Sequence, residues 1–291
     1  MKITPGTSPT GRPADQRSGA GRTSRPVARL WPLLLLLLPA CNLQQNIDVV
    51  IPAGPAQLVV ECYLEDGQVP RLTVTETAPY LAEPAPRLPP GVDAMLTLPD
   101  GTRQSLGFLP GRDPVTGKAF THRGTQPLRS RPGDTFGLEV SDAQGRRVTG
   151  TATMPPVVPL DTVEYPFNAQ SKAAVLSFFR DPPGLGNAYR LLIHRSNLRR
   201  APETDIDLSD RLNDGDRIAL GTSFEFERGD TMLVTLFHLD PAYFRYLESV
   251  GAAQRANGNP FGQPAAVRST VRGGVGVFTV LQYQRQTVIL R

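Results

Sequence analysis

Side chains able to do chemistry are few in this chain, and they are widely spaced. Histidine occurs only at His122, His194 and His238, and cysteine only at Cys41 and Cys62. No His-Glu-x-x-His, Cys-x-x-Cys or Gly-x-Ser-x-Gly pattern occurs, so the spacings that build zinc sites and nucleophile elbows are missing. His194 is out of phase with the apolar positions around it, and His238 closes an apolar run two residues before Asp240. With no nucleophile spaced to use either, both read as structural histidines. Gly184-Leu185-Gly186 does not make a dinucleotide loop, because Tyr189 stands where the third glycine belongs. No catalytic residue and no cofactor is expected.

The densest polar cluster is Asp205, Asp207, Asp210, Asp214 and Asp216, with Asn213 and Gly215 among them. Oxygen ligands around a glycine turn suit a hard cation such as calcium. Such a site would draw on Asp210, Asn213, Asp214 and Asp216. Counted from Asp210, however, Leu212 falls on a ligand position and no glutamate closes the loop. A solvated Asp/Asn/Gly turn between strands accounts for the same residues, and no metal is expected.

Aromatic rings could line a ligand groove. Trp31 is the only tryptophan and lies in the leader; Tyr80, Tyr165, Phe167, Tyr243, Phe244 and Phe261 lie beyond it. Packing in a core is the ordinary fate of such rings. Tyr243, Tyr246 and Phe261 are the candidates for contact with a ligand or partner. Cys62 shares parity with Leu58, Val60 and Leu64, so on a strand it points inward as a small hydrophobe.

The elements that must position these residues begin after a leader. Leu33 to Cys41 reads Leu-Leu-Leu-Leu-Leu-Leu-Pro-Ala-Cys, behind a basic stretch. That is the n-region, h-region and small-residue end of a secretory signal. The apolar run from Leu30 to Ala40 is well short of the roughly 20 residues that span a bilayer. Leu38-Pro39-Ala40-Cys41 resembles a bacterial lipobox, which would make Cys41 the acylated first residue; a plain signal peptide cleaved near Ala40 is the alternative. The leader holds six of the 31 basic and one of the 27 acidic residues, leaving 25 and 26. The basic surplus therefore belongs to the leader and gives no reason to expect nucleic acid as a partner.

After a tether over residues 41–56, the period becomes two. Leu72 and Val74 alternate with polar neighbours, as do Phe136, Leu138 and Val140. Pro99-Asp100-Gly101 and Asp142-Ala143-Gln144-Gly145 supply turns. Short strands between such turns predict an all-β fold, with a first sandwich over residues 57–156. Pro155, Pro156 and Pro159 mark a stiff hinge, and a second sandwich follows over 157–291. Its pattern of strand, Asp-Pro-Pro-Gly turn and strand suggests tandem immunoglobulin/fibronectin-III-like sandwiches. Thr231 to His238 is apolar on both parities and predicts a central strand covered on both sides. One helix is expected over 241–256. Asp240 caps it, Pro241 opens it, and Tyr243, Tyr246, Leu247 and Val250 line one face. Asn257-Gly258 supplies its stop. The glycines of Gly273-Gly274-Val275-Gly276 predict a bulge or close backbone approach.

Several of these pieces occur together in one known family. Tyr243-Phe244-Arg245-Tyr246-Leu247, Gly258-Asn259-Pro260-Phe261 and Gly273-Gly274-Val275-Gly276-Val277-Phe278 carry the likeness, with Leu58-Val59-Val60-Glu61 and Asp181-Pro182-Pro183 before Tyr189-Arg190-Leu191. The chain resembles an uncharacterised Bacteroidota outer-membrane lipoprotein family, domain of unknown function 4249. The resemblance implies an envelope location, a lipid anchor at Cys41 and an accessory role beside TonB-dependent β-barrel transporters. It lends no catalytic residues. The resulting expectation is a lipid-anchored, non-enzymatic binding protein of the outer membrane; the alternative is a surface module that binds glycan or peptide.

Overall fold

The computed structural model describes residues 54–79, 85–212, 214–257, 263 and 265–291. The signal segment, Cys41, most of the tether, Tyr80, Asn213, Gly258 and Phe261 lie outside the described residues. In chain order the strands are β1 (Leu58–Glu65), β2 (Arg71–Glu76), β3 (Asp93–Thr97), β4 (Arg103–Ser105), β5 (Gly107–Arg112), β6 (Ala119–Arg123), β7 (Thr135–Ser141) and β8 (Arg147–Thr153). Then come β9 (Leu160–Glu164), β10 (Leu176–Arg180), β11 (Ala188–Arg195), β12 (Thr204–Ser209), β13 (Arg217–Gly221) and β14 (Thr231–Leu239). Helix α1 (Pro241–Asn257) precedes β15 (Val271–Arg272) and β16 (Val275–Ile289). Among the described residues no helix is long and apolar enough to cross a membrane.

The fold is all-β with this helix inserted, and its two cores share one sheet. Eight strands run β12-β11-β14-β16-β1-β2-β6-β5; a five-stranded sheet, β15-β8-β7-β3-β4, and a three-stranded one, β13-β10-β9, complete the fold. The first core joins Leu58, Val60, Cys62 and Leu64 to Leu96, Phe136, Leu138 and Val140. The second joins Tyr189, Leu191, Ile193 and Val234 to Phe179 and Phe226. Cys62 is fully buried, as its parity predicts, and burial pushes its thiol up to about 12.

Strand β16 ties the two cores together. Its first half, Val275 to Leu281, pairs parallel with β1; its second half, Gln282 to Ile289, pairs antiparallel with β14. Phe278 and Val280 fill the first core, whereas Leu290, just beyond the strand, fills the second. Residues 271–281, which a linear division puts with the second sandwich, are therefore hydrogen-bonded into the first. Glycines just before β16 and at its start make this possible. Gly276 has φ +131°, and a Cβ there would stand 1.9 Å from the Val60 carbonyl oxygen. Gly273 has φ +82°, and its Cβ would meet the Arg147 carbonyl oxygen at 2.1 Å. The close backbone approach expected of this run is what the structure contains.

Strand β14 is central, between β11 and β16. Its inward residues Met232, Val234 and Leu236 are buried; on the other face Thr235 and Leu239 are buried too, whereas Leu233 and Phe237 are half-buried. Helix α1 starts as expected: Asp240 Oδ1 accepts from the backbone N–H groups of Ala242 at 2.7 Å and Tyr243 at 3.3 Å. It lies on that other, outer face, where Tyr243 packs with Leu239, Val277, Tyr63 and Leu281.

Candidate functional site

The outer face of the eight-stranded sheet carries a groove of about 520 Å³. Its floor crosses five strands, through Glu61, Tyr63 and Glu65 of β1, Arg71 and Thr73 of β2, Leu281 of β16, Phe237 and Leu239 of β14, and Arg190 and Leu192 of β11. Tyr243 of α1 lines it, and so do Asp113, Thr116, Lys118, Ala119 and Phe120 around the β5–β6 turn. A volume of this size suits a small ligand or the side chains of a peptide.

The β5–β6 hairpin is joined to β2 over a short stretch only. The two strands pair main chain to main chain at Arg71–Arg123 and Leu72–His122. Past that point side chains fill the gap: Val74 N–H donates to Thr121 Oγ1 at 2.9 Å, and Thr73 Oγ1 donates to the Ala119 carbonyl at 3.1 Å. The hairpin's turn is held by Asp113, whose Oδ1 accepts from Val115 N–H at 2.8 Å and Thr116 N–H at 2.6 Å. It reaches the loop after β11, where Arg199 Nη2 donates to the Pro114 carbonyl at 2.7 Å.

Three of the six charged side chains lining the groove, Arg71, Asp113 and Arg190, are in ion pairs. Arg71 Nη1 meets Asp113 Oδ2 at 2.6 Å. Arg190 grips Asp205 with two donors, Nε at 2.8 Å and Nη2 at 2.7 Å, and Asp207 lies 3.5 Å from its Nε. Burial holds Asp207 above the usual carboxylate range although Arg190 opposes this. Burial also pushes the Tyr243 hydroxyl up to about 12 and Tyr63 well above the ordinary tyrosine value, so both are neutral donors at physiological pH. Tyr63 and Tyr243 meet edge to face at 6.0 Å, and Lys118 Nζ lies over the Tyr63 ring, 5.1 Å from its centroid.

A second polar site joins two turns. Oxygens of Asp181, Asp210 and Asp214 all lie within 4.8 Å of one another, the first two buried and the third exposed. These are the oxygen ligands a hard cation takes. Each also organises its surroundings: Asp181 accepts from Gly215 N–H at 2.8 Å and from the Tyr189 hydroxyl, Asp210 from Asn187 N–H at 2.8 Å, and Asp214 from Gly184 N–H at 2.7 Å. Together they fasten the turn after β10 to the short 3₁₀ turn Asp210–Leu212 that follows β12.

The model of the domain of unknown function DUF4249 matches residues 44–287. The chain belongs to this family. A comparison with curated proteins finds no match. In this DUF4249 chain the matched stretch contains the whole described groove and the Asp181 cluster.

Of the residues singled out from the sequence, the structure brings Tyr243 into the groove and stacks Tyr246 against it, with ring centroids 6.2 Å apart. Asp210 and Asp214 come together, but their third partner is Asp181, from a turn the sequence reading treated separately. Asp216 contributes its backbone carbonyl to Asp181 N–H at 2.9 Å. Asp205 and Asp207 are not in a loop: they lie on edge strand β12, facing Arg190. The sequence reading missed Glu61, Tyr63, Glu65 and Lys118. The signal available for the first three was their shared parity on β1, opposite the core residues.

The three histidines sit in packed surroundings. His238 Nδ1 donates to the Pro156 carbonyl at 2.8 Å, and its ring stacks on Tyr189 at 5.2 Å. His122 Nδ1 bonds Thr121 Oγ1 at 2.8 Å, and that hydroxyl in turn donates to the Leu72 carbonyl at 3.2 Å. Burial lowers the affinity of His122, His194 and His238 for a proton, with Arg285 adding to the effect at His194.

Proposed function

We propose that this DUF4249 protein is a lipid-anchored cell-envelope protein that acts by non-covalent binding, as an accessory to an outer-membrane TonB-dependent transporter. The anchor reading rests on Leu33 to Cys41, where a short apolar run ends in a lipobox-like cysteine. Two or more acyl chains hold a protein stably on a bilayer, whereas one is marginal. The binding reading rests on the outer-face groove, which combines apolar floor, aromatic rings and charges of both signs in about 520 Å³. Helix α1 and the β5–β6 hairpin frame that groove and supply its contact surface. Capture of a glycan or peptide at the cell surface is the second reading, favoured by the exposed rim of the groove at Glu61 and Lys118.

Fractionation tests the anchor. The intact protein is expected in the membrane pellet, with Cys41 acylated by mass spectrometry. Cys41→Ala is expected to release it to the soluble fraction. An unmodified Cys41 overturns the anchor reading. Affinity purification in detergent tests the partner: a TonB-dependent barrel is expected with the wild type and is lost with Tyr63→Leu. A protein recovered without any barrel argues for surface capture instead.

A further inference from the structure

We infer that the groove recognises its ligand through an ammonium group seated on the face of Tyr63, a place that Lys118 of the chain itself occupies in this structure, with Glu61 and Glu65 on the same strand face to either side. This rests on the reading of the groove as a binding site and names what that site takes.

The decisive contact is internal. Lys118 comes from the turn of the β5–β6 hairpin and puts its Nζ 5.1 Å from the Tyr63 ring centroid. An ammonium at that distance is held by the ring's quadrupole. Among the described residues Lys118 is in no ion pair, whereas the other lining cations are committed, Arg71 to Asp113 and Arg190 to Asp205. Lys118 is also exposed, so a competing cation can displace it without breaking a carboxylate contact.

The floor around the ring has matching charge. Glu61, Tyr63 and Glu65 alternate along β1 and point to one face, the face that lines the groove. Among the described residues neither glutamate forms an ion pair; Glu65 Oε2 accepts only a hydrogen bond from the Tyr283 hydroxyl, at 3.1 Å. Two carboxylates flanking an aromatic face attract a cation and repel an anion. The apolar side chains Leu192, Leu239 and Leu281 nearby suit the methylenes that carry an amine. The ligand class is thus an alkylammonium, such as a lysine side chain presented by a peptide.

Calorimetric titration of the full-length protein in detergent tests this with three probes: N-acetyl-Ala-Lys-Ala-amide and the same peptide with norleucine or glutamate in place of lysine. The lysine peptide is expected to bind more tightly than both others. Lys118→Met removes the internal competitor and is expected to tighten the lysine peptide by about two- to fivefold. Tyr63→Leu is expected to weaken it by a similar factor, and the double variant Glu61→Gln/Glu65→Gln does the same without touching the ring's packing. Equal or tighter binding of the norleucine or glutamate peptide, or weaker lysine binding in Lys118→Met, overturns the ammonium assignment and leaves the groove a binding site. Absence of binding by all three probes overturns both.

Discussion

Along β1 the side chains alternate between two environments. Leu58, Val60, Cys62 and Leu64 point inward and are wholly removed from solvent. Glu61, Tyr63 and Glu65 point outward, where Glu61 is exposed and the other two are half-buried. The inward set touches the five-stranded sheet and has no polar atom but a neutral thiol. The outward set carries charges and a ring, covered only in part by α1 and the β5–β6 hairpin. One strand therefore divides its labour by parity: one face contributes stability through burial, and the other is free to carry recognition.

Substitutions on the two faces should separate cleanly, and the largest effect is expected where the backbone itself is crowded. Gly276→Val places side-chain atoms where the Val60 carbonyl already stands, which opens the parallel β1–β16 pairing. Urea unfolding should show a loss upwards of about 3 kcal/mol, or no folded protein at all. Phe278→Ala empties the first core next to β1 and should lose about 3–5 kcal/mol. If either variant were as stable as the wild type, β16 would not be the strand that joins the cores.

Acidification gives a smaller effect with a definite sign. Burial holds all three histidines below their ordinary value of 6.5, so the unfolded chain takes up protons before the folded one does. Stability is then complete above about pH 6.5 and declines as the pH falls through the window beneath it. The urea midpoint should drop between pH 7 and pH 5. His238→Gln on the inner face and His194→Gln on the outer face should each flatten that slope. A slope unchanged in both variants would show that these rings do not set it. The smallest effect belongs to the outer face: Tyr63→Leu should shift stability by no more than about 1 kcal/mol while altering binding. A loss comparable to Phe278→Ala would abolish the contrast between the faces.

Legibility in the sequence follows the same division. Where one face is buried, as in β1, β2, β7 and β8, alternation marks the strand. The segment 103–123 escaped because β5 is exposed along almost its whole length, with Phe108 and Leu109 in solvent. Strand β12 escaped because its aspartates disfavour a strand taken alone; pairing with β11 and the Arg190 ion pairs hold it there. The acidic cluster was half legible: Asp210 and Asp214 are close in sequence, but nothing local joins Asp181 to them.

By itself the sequence determined local matters: the strand faces, the Asp240 cap and first turn of α1, the need for glycine at 273 and 276, and the inward thiol of Cys62. Each follows from sterics and from a period of two or 3.6 residues. Tertiary structure alone decided that β16 lies parallel to β1, that two cores share one sheet, and that Lys118 reaches Tyr63. Periodicity states which way a side chain points but leaves open which strand will be its neighbour. That choice is made by complementarity across more than 200 residues of chain, from Val59 to Val275, once the loops have closed.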